Sequence, residues 1–417
     1  MELAEHIVRF SLYGISMLGN TEAGSVIGLT KEGSQWCDSL GEDDSSAWDI
    51  PIECRELAAY MKKNGFLKSD KPEVQEEQRG ELIRSAYLHI TNRCNFACVG
   101  CYSFDTGRNR LRDPSTLQLF RAIDLLAGLG IDRIVFSGGE PFLRDGLAAL
   151  TSRAKKSGIA EVVVATNGTL CTKESLLLLS KSVDTISISF DGTSCSSVPY
   201  IRGKQCFDQL VDAIKSVENV GIKAHILPTI HAKNIEDIPA YLDLGKRLGV
   251  TVGFSLLSGD ANSLGDLMLT ESDLSRLSIM MLSAGAMADI DKVFPDAGRS
   301  PLHACINCGA GKRGVSIAAD GSVYPCHMLH YREFCLGNAF TDSLDAIEDA
   351  LRTFQLPSVD DLEVCKDCDK RYLCGGGCRA RAYLKNGGVG AGDPYCPYYA
   401  RIIDANVRML AKSLAGR

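Results

Sequence analysis

Cys94-Asn-Phe-Ala-Cys98-Val-Gly-Cys101-Tyr102 is the stretch on which the reading of this chain turns. It follows the apolar run 86–90, so three cysteines at C-x3-C-x2-C spacing leave a strand on one loop. Three thiolates placed this way can hold three irons of a cubane cluster and leave the fourth iron open to a substrate or cofactor. A structural zinc site asks for four ligands instead, and no histidine follows Cys101 closely.

Outward from the loop, residues 82 to about 259 alternate short apolar runs with helical stretches. The runs 86–90, 133–136, 161–165, 185–190, 223–230 and 251–257 read as strands, and 116–129, 173–180, 207–217 and 235–248 read as helices. Six such units in series predict an α/β fold: a parallel sheet with helices outside it, curled toward a barrel. Chemistry in such barrels sits at the C-terminal ends of the strands. A helical bridge is expected from about Thr270.

This loop, opening a six-unit barrel, resembles the radical S-adenosylmethionine (SAM) superfamily, whose core is a partial (β/α)6 TIM barrel. The resemblance implies that Cys94, Cys98 and Cys101 hold a [4Fe–4S] cluster whose open iron binds SAM. Ser137-Gly138-Gly139-Glu140-Pro141, after the second strand, is similar to the family's glycine-rich motif and is expected to meet the SAM amino group, the glycines permitting close backbone approach. Asn167, Ser189 and Arg202 fall at or just beyond the next strand ends. The resemblance aims the serine and arginine at the SAM carboxylate or ribose. Where the family has an aromatic residue before the third cysteine, this chain has Gly100, with Tyr102 or Phe96 as the candidates for adenine stacking.

Seventeen cysteines are too few for a disulfide scaffold of this length and many for a cytosolic enzyme, and nine lie between 305 and 396. Cys365-Lys-Asp-Cys368, Cys374-Gly-Gly-Gly-Cys378 and Cys396, with Cys305-Ile-Asn-Cys308 and Gly321-Ser-Val-Tyr-Pro-Cys326 upstream, resemble the SPASM domain. That resemblance implies two auxiliary [4Fe–4S] clusters, three in all. One takes Cys365, Cys368, Cys374 and Cys396. The other takes Cys308, Cys326 and Cys378, with Cys305 as fourth ligand and Cys335 as its rival, or else a buried thiol; with neither, an iron stays open to a substrate thiolate. Two zinc ribbons are the alternative use of thiolate-only ligands. Cys37, Cys54, Cys171, Cys195 and Cys206 are expected to be buried small apolar residues.

Residues 1–68 read as a small α+β module. Apolar runs at 7–18 and 25–29 flank Gly19-Asn20 as two strands, Thr30 caps a helix carrying Trp36 and Leu40, and a second helix runs from Pro51 to Gly65 with Leu57, Tyr60 and Met61 on one face. The module resembles the winged-helix-like precursor-peptide recognition element, which implies that a leader peptide adds as a strand to a sheet edge. Residues 69–81 read as a charged linker, 82–270 as the barrel, and 271–417 as the bridge and SPASM domain.

The net charge of -7 gives no basic footprint for nucleic acid, and no uncharged stretch exceeds 12 residues, which excludes a transmembrane helix. With no signal-peptide pattern at its start, the chain is expected in the cytosol. The three resemblances together imply a peptide maturase that abstracts hydrogen through a 5′-deoxyadenosyl radical, fed by a flavodoxin- or ferredoxin-type electron donor. A thioether crosslink is the first expectation for the product; carbon–carbon crosslinking, oxidative tyrosine chemistry and sulfatase-type maturation are alternatives. In the last, an aspartate base follows the cysteine equivalent to Cys326, where this chain has His327. A metal-stabilised peptide-binding protein is the non-enzymatic alternative. No residue is singled out as the catalytic base; His327, His303 and Asp191 are polar candidates.

Overall fold

The computed structural model describes residues 1–41, 50–68, 83–103, 107–284 and 302–415; the expected linker lies outside them. The chain forms two compact units: Met1–Glu81, Arg299–Cys308 and Leu356–Arg417 in one, Leu82–Gly298 and Gly309–Gln355 in the other.

In the first unit, β1 (Ile7–Leu12), β2 (Ile15–Asn20) and β3 (Val26–Leu29) form an antiparallel sheet in that order. The run expected as one strand is therefore a hairpin. Its two-residue turn is Tyr13-Gly14, both with positive φ (54° and 77°), as the primed hairpin turns require. Gly19-Asn20 is not the turn but the end of β2, and the chain reverses after it, where the Asn20 Oδ1 accepts from the N–H groups of Glu22 and Ala23. Thr30 caps the helix Lys31–Asp38 through the N–H of Gly33 at 3.1 Å. After Pro51 comes a 3-10 turn, Ile52–Cys54, then the helix Arg55–Lys63. Its buried stripe is Cys54, Ala58 and Met61, at i, i+4 and i+7; Tyr60 lies off that stripe and is 45% exposed. The C-terminal part of the unit carries the helices Arg371–Cys374, Arg379–Asn386 and Cys396–Ala415.

The second unit is built on a mixed sheet. Strands β4 (Ser85–His89), β5 (Arg133–Ser137), β6 (Glu161–Thr166), β7 (Thr185–Phe190) and β8 (Lys223–Ile230) run parallel and in sequence order. Ile134, Phe136, Val162, Val164, Ile186, Ile188 and Ile226 are fully buried on one face and Val135 and Val163 are buried on the other, consistent with strands covered on both faces. The expected sixth strand is broken into β9 (Thr251–Val252) and β10 (Ser255–Leu256), both paired with β8; between them the Gly253 N–H turns to Ile226 O. On its other edge the sheet continues through β11 (Gly314–Ile317), parallel to β4, then β12 (Ser322–Tyr324) and β13 (Gly337–Asn338), both antiparallel. The C-terminal third thus extends the barrel sheet. Helices Thr116–Gly128, Lys173–Leu179 and Glu271–Ser283 each begin on a capping box. Among the described residues no helix is long and apolar enough to cross a membrane.

Candidate functional site

The cysteine loop leaves β4 and is held from several sides. Asp113 accepts from the Thr91 hydroxyl at 2.6 Å and from Arg93 Nε at 2.8 Å, and Arg93 reaches on to Leu143 O at 2.8 Å. The N–H of Cys94 donates to Asn109 Oδ1 and that of Val99 to Ile201 O, each at 2.8 Å. Gly100 has φ +67°, and a Cβ there would stand 2.7 Å from Leu257 Cδ1, so the backbone and the space explain why no aromatic residue occupies this position.

Cys94, Cys98 and Cys101 carry unbridged, partly buried thiols. Burial pushes Cys98 up to about 11, and the Cys101 and Cys94 thiols add to the rise while Arg202 and Arg108 oppose it. Arg108 Nη2 lies 3.8 Å from Cys101 Sγ and also donates to Ser103 Oγ at 3.1 Å. Among the described residues no three His, Cys, Asp or Glu side chains converge as ligands of a single ion. A cubane bound through separate irons does not ask its thiolates to converge, and three neighbouring thiols beside two cationic side chains fit such a group.

The strand ends assemble around this loop. Gly139 packs so closely that a Cβ would fall 2.0 Å from Arg93 O; its N–H donates to Thr91 O and that of Glu140 to Arg93 O. Ser137 Oγ meets Tyr102 Oη at 2.6 Å, and Gly138 O accepts from Ser103 Oγ. Glu140 is 1% exposed and spends its carboxylate on Phe142, Thr166 and Asn167 rather than on the open end of the barrel. Asn167 Nδ2 donates to Asn95 Oδ1 within the cysteine loop at 2.7 Å. The buried Arg202 donates to the main-chain oxygens of Ser189 and Asn167, its backbone N–H is received by Asp191, and its guanidinium stands 5.9 Å from the Phe96 ring. Ser137, Gly138, Gly139, Glu140, Asn167, Ser189, Arg202, Tyr102 and the three thiols are therefore brought to one end of the sheet.

Several residues at this end carried no sequence signal. His89 closes β4, its ring 4.8 Å from that of His330, which is stacked on Tyr324 and paired with Ser316 Oγ at 2.8 Å. Burial drives the His89 pKa well down and takes that of His330 to about 4. His327 stacks on Tyr87, meets the Tyr102 ring edge-on at 5.2 Å, and holds Nδ1 4.0 Å from Cys326 Sγ. Arg108 and Asp113 are lone polar residues of the loop after β4, and the His89–His330 contact emerges only from the pairing of β11 and β12 with β4.

In the other unit, Asp393 organises the C-terminal cysteines. Its carboxylate accepts from Arg381 Nε and Nη2, from the Cys378 N–H at 2.7 Å and from the Tyr395 N–H, while its carbonyl receives the Cys396 N–H. Burial raises the Cys396 thiol, and the nearby Cys368 and Cys365 raise it further, so these three are neighbours. Cys305 is buried. Cys335 is exposed rather than buried, and of the scattered cysteines Cys37, Cys54 and Cys206 are buried, Cys171 half-buried and Cys195 exposed, since it sits in the loop after β7. Cys326 belongs to the barrel unit and Cys305, Cys308 and Cys378 to the other.

Comparison with known proteins agrees with this geometry. The Radical SAM superfamily matches residues 88–245, and the SPASM iron-sulfur cluster-binding domain matches residues 308–369. A PqqA peptide cyclase of Granulibacter bethesdensis is 26% identical over 332 residues, 74% of this chain and 85% of that protein. The mycofactocin maturase MftC of Mycolicibacterium smegmatis is 28% identical over 321 residues, 74% and 81% of the two chains. The fold is shared with Streptococcus suis SuiB bound to its precursor peptide SuiA, at a TM-score of 0.59, 16% identity and coverage of 94% and 98%.

Proposed function

The chain belongs to the radical SAM superfamily and carries a SPASM domain, and from that premise we propose that it matures a ribosomally made peptide docked through residues 1–68. It is an enzyme that binds SAM and a [4Fe–4S] cluster, with auxiliary iron–sulfur clusters in its SPASM portion. The observation that carries the peptide reading is the pair of relatives named for peptide maturation, each aligned over 74% of this chain. In this reading residues 82–270 are the catalytic barrel and 271–417 carry the auxiliary clusters.

An iron–sulfur cluster and SAM held by these residues would supply hydrogen-abstraction chemistry toward the substrate. The chain's part is positional. Cys94, Cys98 and Cys101 would hold three irons on a loop braced by Asp113, and Arg108 places positive charge beside Cys101. Ser137, Gly138 and Gly139 line the close approach over that loop, while Glu140 fixes Asn167 and thereby the next strand end. Arg202, held by Ser189 and Asn167 carbonyls, is the buried cation available to a SAM carboxylate.

For the bond formed, a thioether is the first reading. The cyclase name of one relative favours ring closure within a single peptide and makes a carbon–carbon crosslink the second. His327 in the place of an aspartate base argues against sulfatase-type maturation. The test is to incubate the reconstituted, reduced enzyme with SAM and the peptide encoded beside its gene. A product two hydrogens lighter whose cysteine resists alkylation supports the thioether; one equally light with a reactive thiol supports the carbon–carbon bond. Release of 5′-deoxyadenosine with no change in peptide mass under any leader-bearing substrate would remove the peptide reading.

A further inference from the structure

The three-stranded sheet of residues 1–68 is apolar on both faces. Ile7, Leu18, Ile27 and Leu29 join one core with Trp36, Cys54 and Met61. The alternate positions Phe10, Leu12, Ile15, Met17 and Val26 belong to a second core, shared with Leu373, Ile403 and Val407, against which Cys374 packs. The period of two along a strand makes this a real division of faces. A free-standing module would present the second set to water as one apolar patch.

Main-chain ties run the same way. The Ala304 N–H donates to Gly24 O at 3.0 Å, and the next residue, Cys305, donates to Tyr372 O at 2.8 Å. The Tyr372 ring lies 5.9 Å from that of Phe10. Gly24 has φ +76°, and a Cβ on it would stand 1.7 Å from His303 Cε1, so the segment His303-Ala304-Cys305 is seated directly on this glycine. Cys305 is 3% exposed and Cys374 directly follows Leu373 of the shared core.

We propose that residues 1–68 have a second function besides peptide docking: they hold Cys305 and Cys374, each assigned to a different auxiliary cluster, in position. Met17 acts through Leu373 and Gly24 through Ala304, so both are positioning residues rather than ligands. The proposal rests on the SPASM cysteine assignment and is independent of the peptide reading.

The test uses the full chain, reconstituted without oxygen, with Cys94, Cys98 and Cys101 all changed to alanine so that every remaining iron is auxiliary. Met17→Gln and Gly24→Ala are compared with Met17→Leu. The expected result is a fall from about eight irons per chain to about four or fewer in the first two, an altered electron paramagnetic resonance signature of the reduced auxiliary clusters, and recovery of both in Met17→Leu. The same substitutions in the chain with its loop cysteines intact should leave SAM cleavage unchanged. Native iron and an unaltered spectrum in Met17→Gln and Gly24→Ala, or loss of the barrel cluster in step with the auxiliary ones, overturns the proposal. Peptide binding is read separately on the unsubstituted chain, and its absence there would weigh only on the peptide reading.

Discussion

The main-chain N–H of Asn167 donates to Glu140 Oε2 at 2.8 Å, joining the end of β6 to the turn after β5. Oε1 of the same carboxylate accepts from the Thr166 hydroxyl at 2.7 Å and the Phe142 N–H at 3.0 Å. Burial pushes Glu140 up, and these three donors work against that rise. A glutamate at this point in a glycine-rich motif invites assignment as a ligand contact. Its acceptors are instead turned into the protein, where they fix the ends of β5 and β6.

Glu140→Gln keeps the shape but puts an NH2 group opposite one of the donors. Leaving a buried donor unmatched costs about 1–3 kcal/mol. SAM affinity should weaken by roughly tenfold for each 1.4 kcal/mol that reaches the site. Isothermal titration and iron analysis on one preparation check this: affinity falls while iron content holds. Wild-type affinity would return Glu140 to a passive role.

Replacing Cys94, Cys98 and Cys101 together by alanine should abolish 5′-deoxyadenosine release and remove about four irons per chain, leaving about eight on the auxiliary clusters. Chromatography of the nucleoside and iron quantification read the two effects independently. Persistent cleavage would place the active cluster elsewhere.

Asp393→Ala leaves the Arg381 guanidinium, side chain 10% exposed, without its bidentate partner and frees the N–H groups of Cys378 and Tyr395. Breaking a buried pair by removing one member costs about 3–5 kcal/mol. Auxiliary iron should fall while the barrel cluster and basal SAM cleavage remain. A selective loss of this kind is visible as a change in the reduced-cluster spectrum; equal loss from all clusters would contradict it.

What could be read without coordinates divides along physical lines. Strand β6 carries the continuous apolar run Val162–Ala165, β7 alternates Ile186, Ile188 and Phe190 with polar residues, and Thr172 opens the helix between them with its own capping box, so local pattern placed them. The Tyr13-Gly14 turn escaped because a tyrosine occupies a left-handed position, while Gly19-Asn20 carried the stronger turn signature inside β2. Strand β11 pairs with β4 across more than two hundred residues, and such pairing leaves no local trace. The thiol triad was legible because its donors share one loop. Asp113, Arg108, His89 and Asp393 were not, because burial and long-range neighbours, rather than spacing, give them their work.

The buried histidines supply a test in pH. Burial lowers His225 and His231 to about 4; His225 pairs through Nδ1 with Thr251 Oγ1 at 2.8 Å, and His231 Nδ1 receives the Lys233 N–H at 3.2 Å. In the unfolded chain a histidine takes up its proton near pH 6.5, so between about 6.5 and 4 the unfolded state binds more protons than the folded one. Stability therefore rises with pH through that window, is fully present above it, and is lost as the solution is acidified toward the folded value. Full traverse of the window is worth about 3 kcal/mol for each such group. His225→Gln removes one titration while keeping a neutral polar side chain beside Thr251. Comparing urea midpoints of wild type and variant from pH 7.5 to 5 cancels whatever acid does to the clusters in both proteins. The difference between them should shrink as pH falls, the variant losing less than the wild type. A difference constant across the range would mean that His225 is protonated in the folded protein as readily as in the unfolded chain.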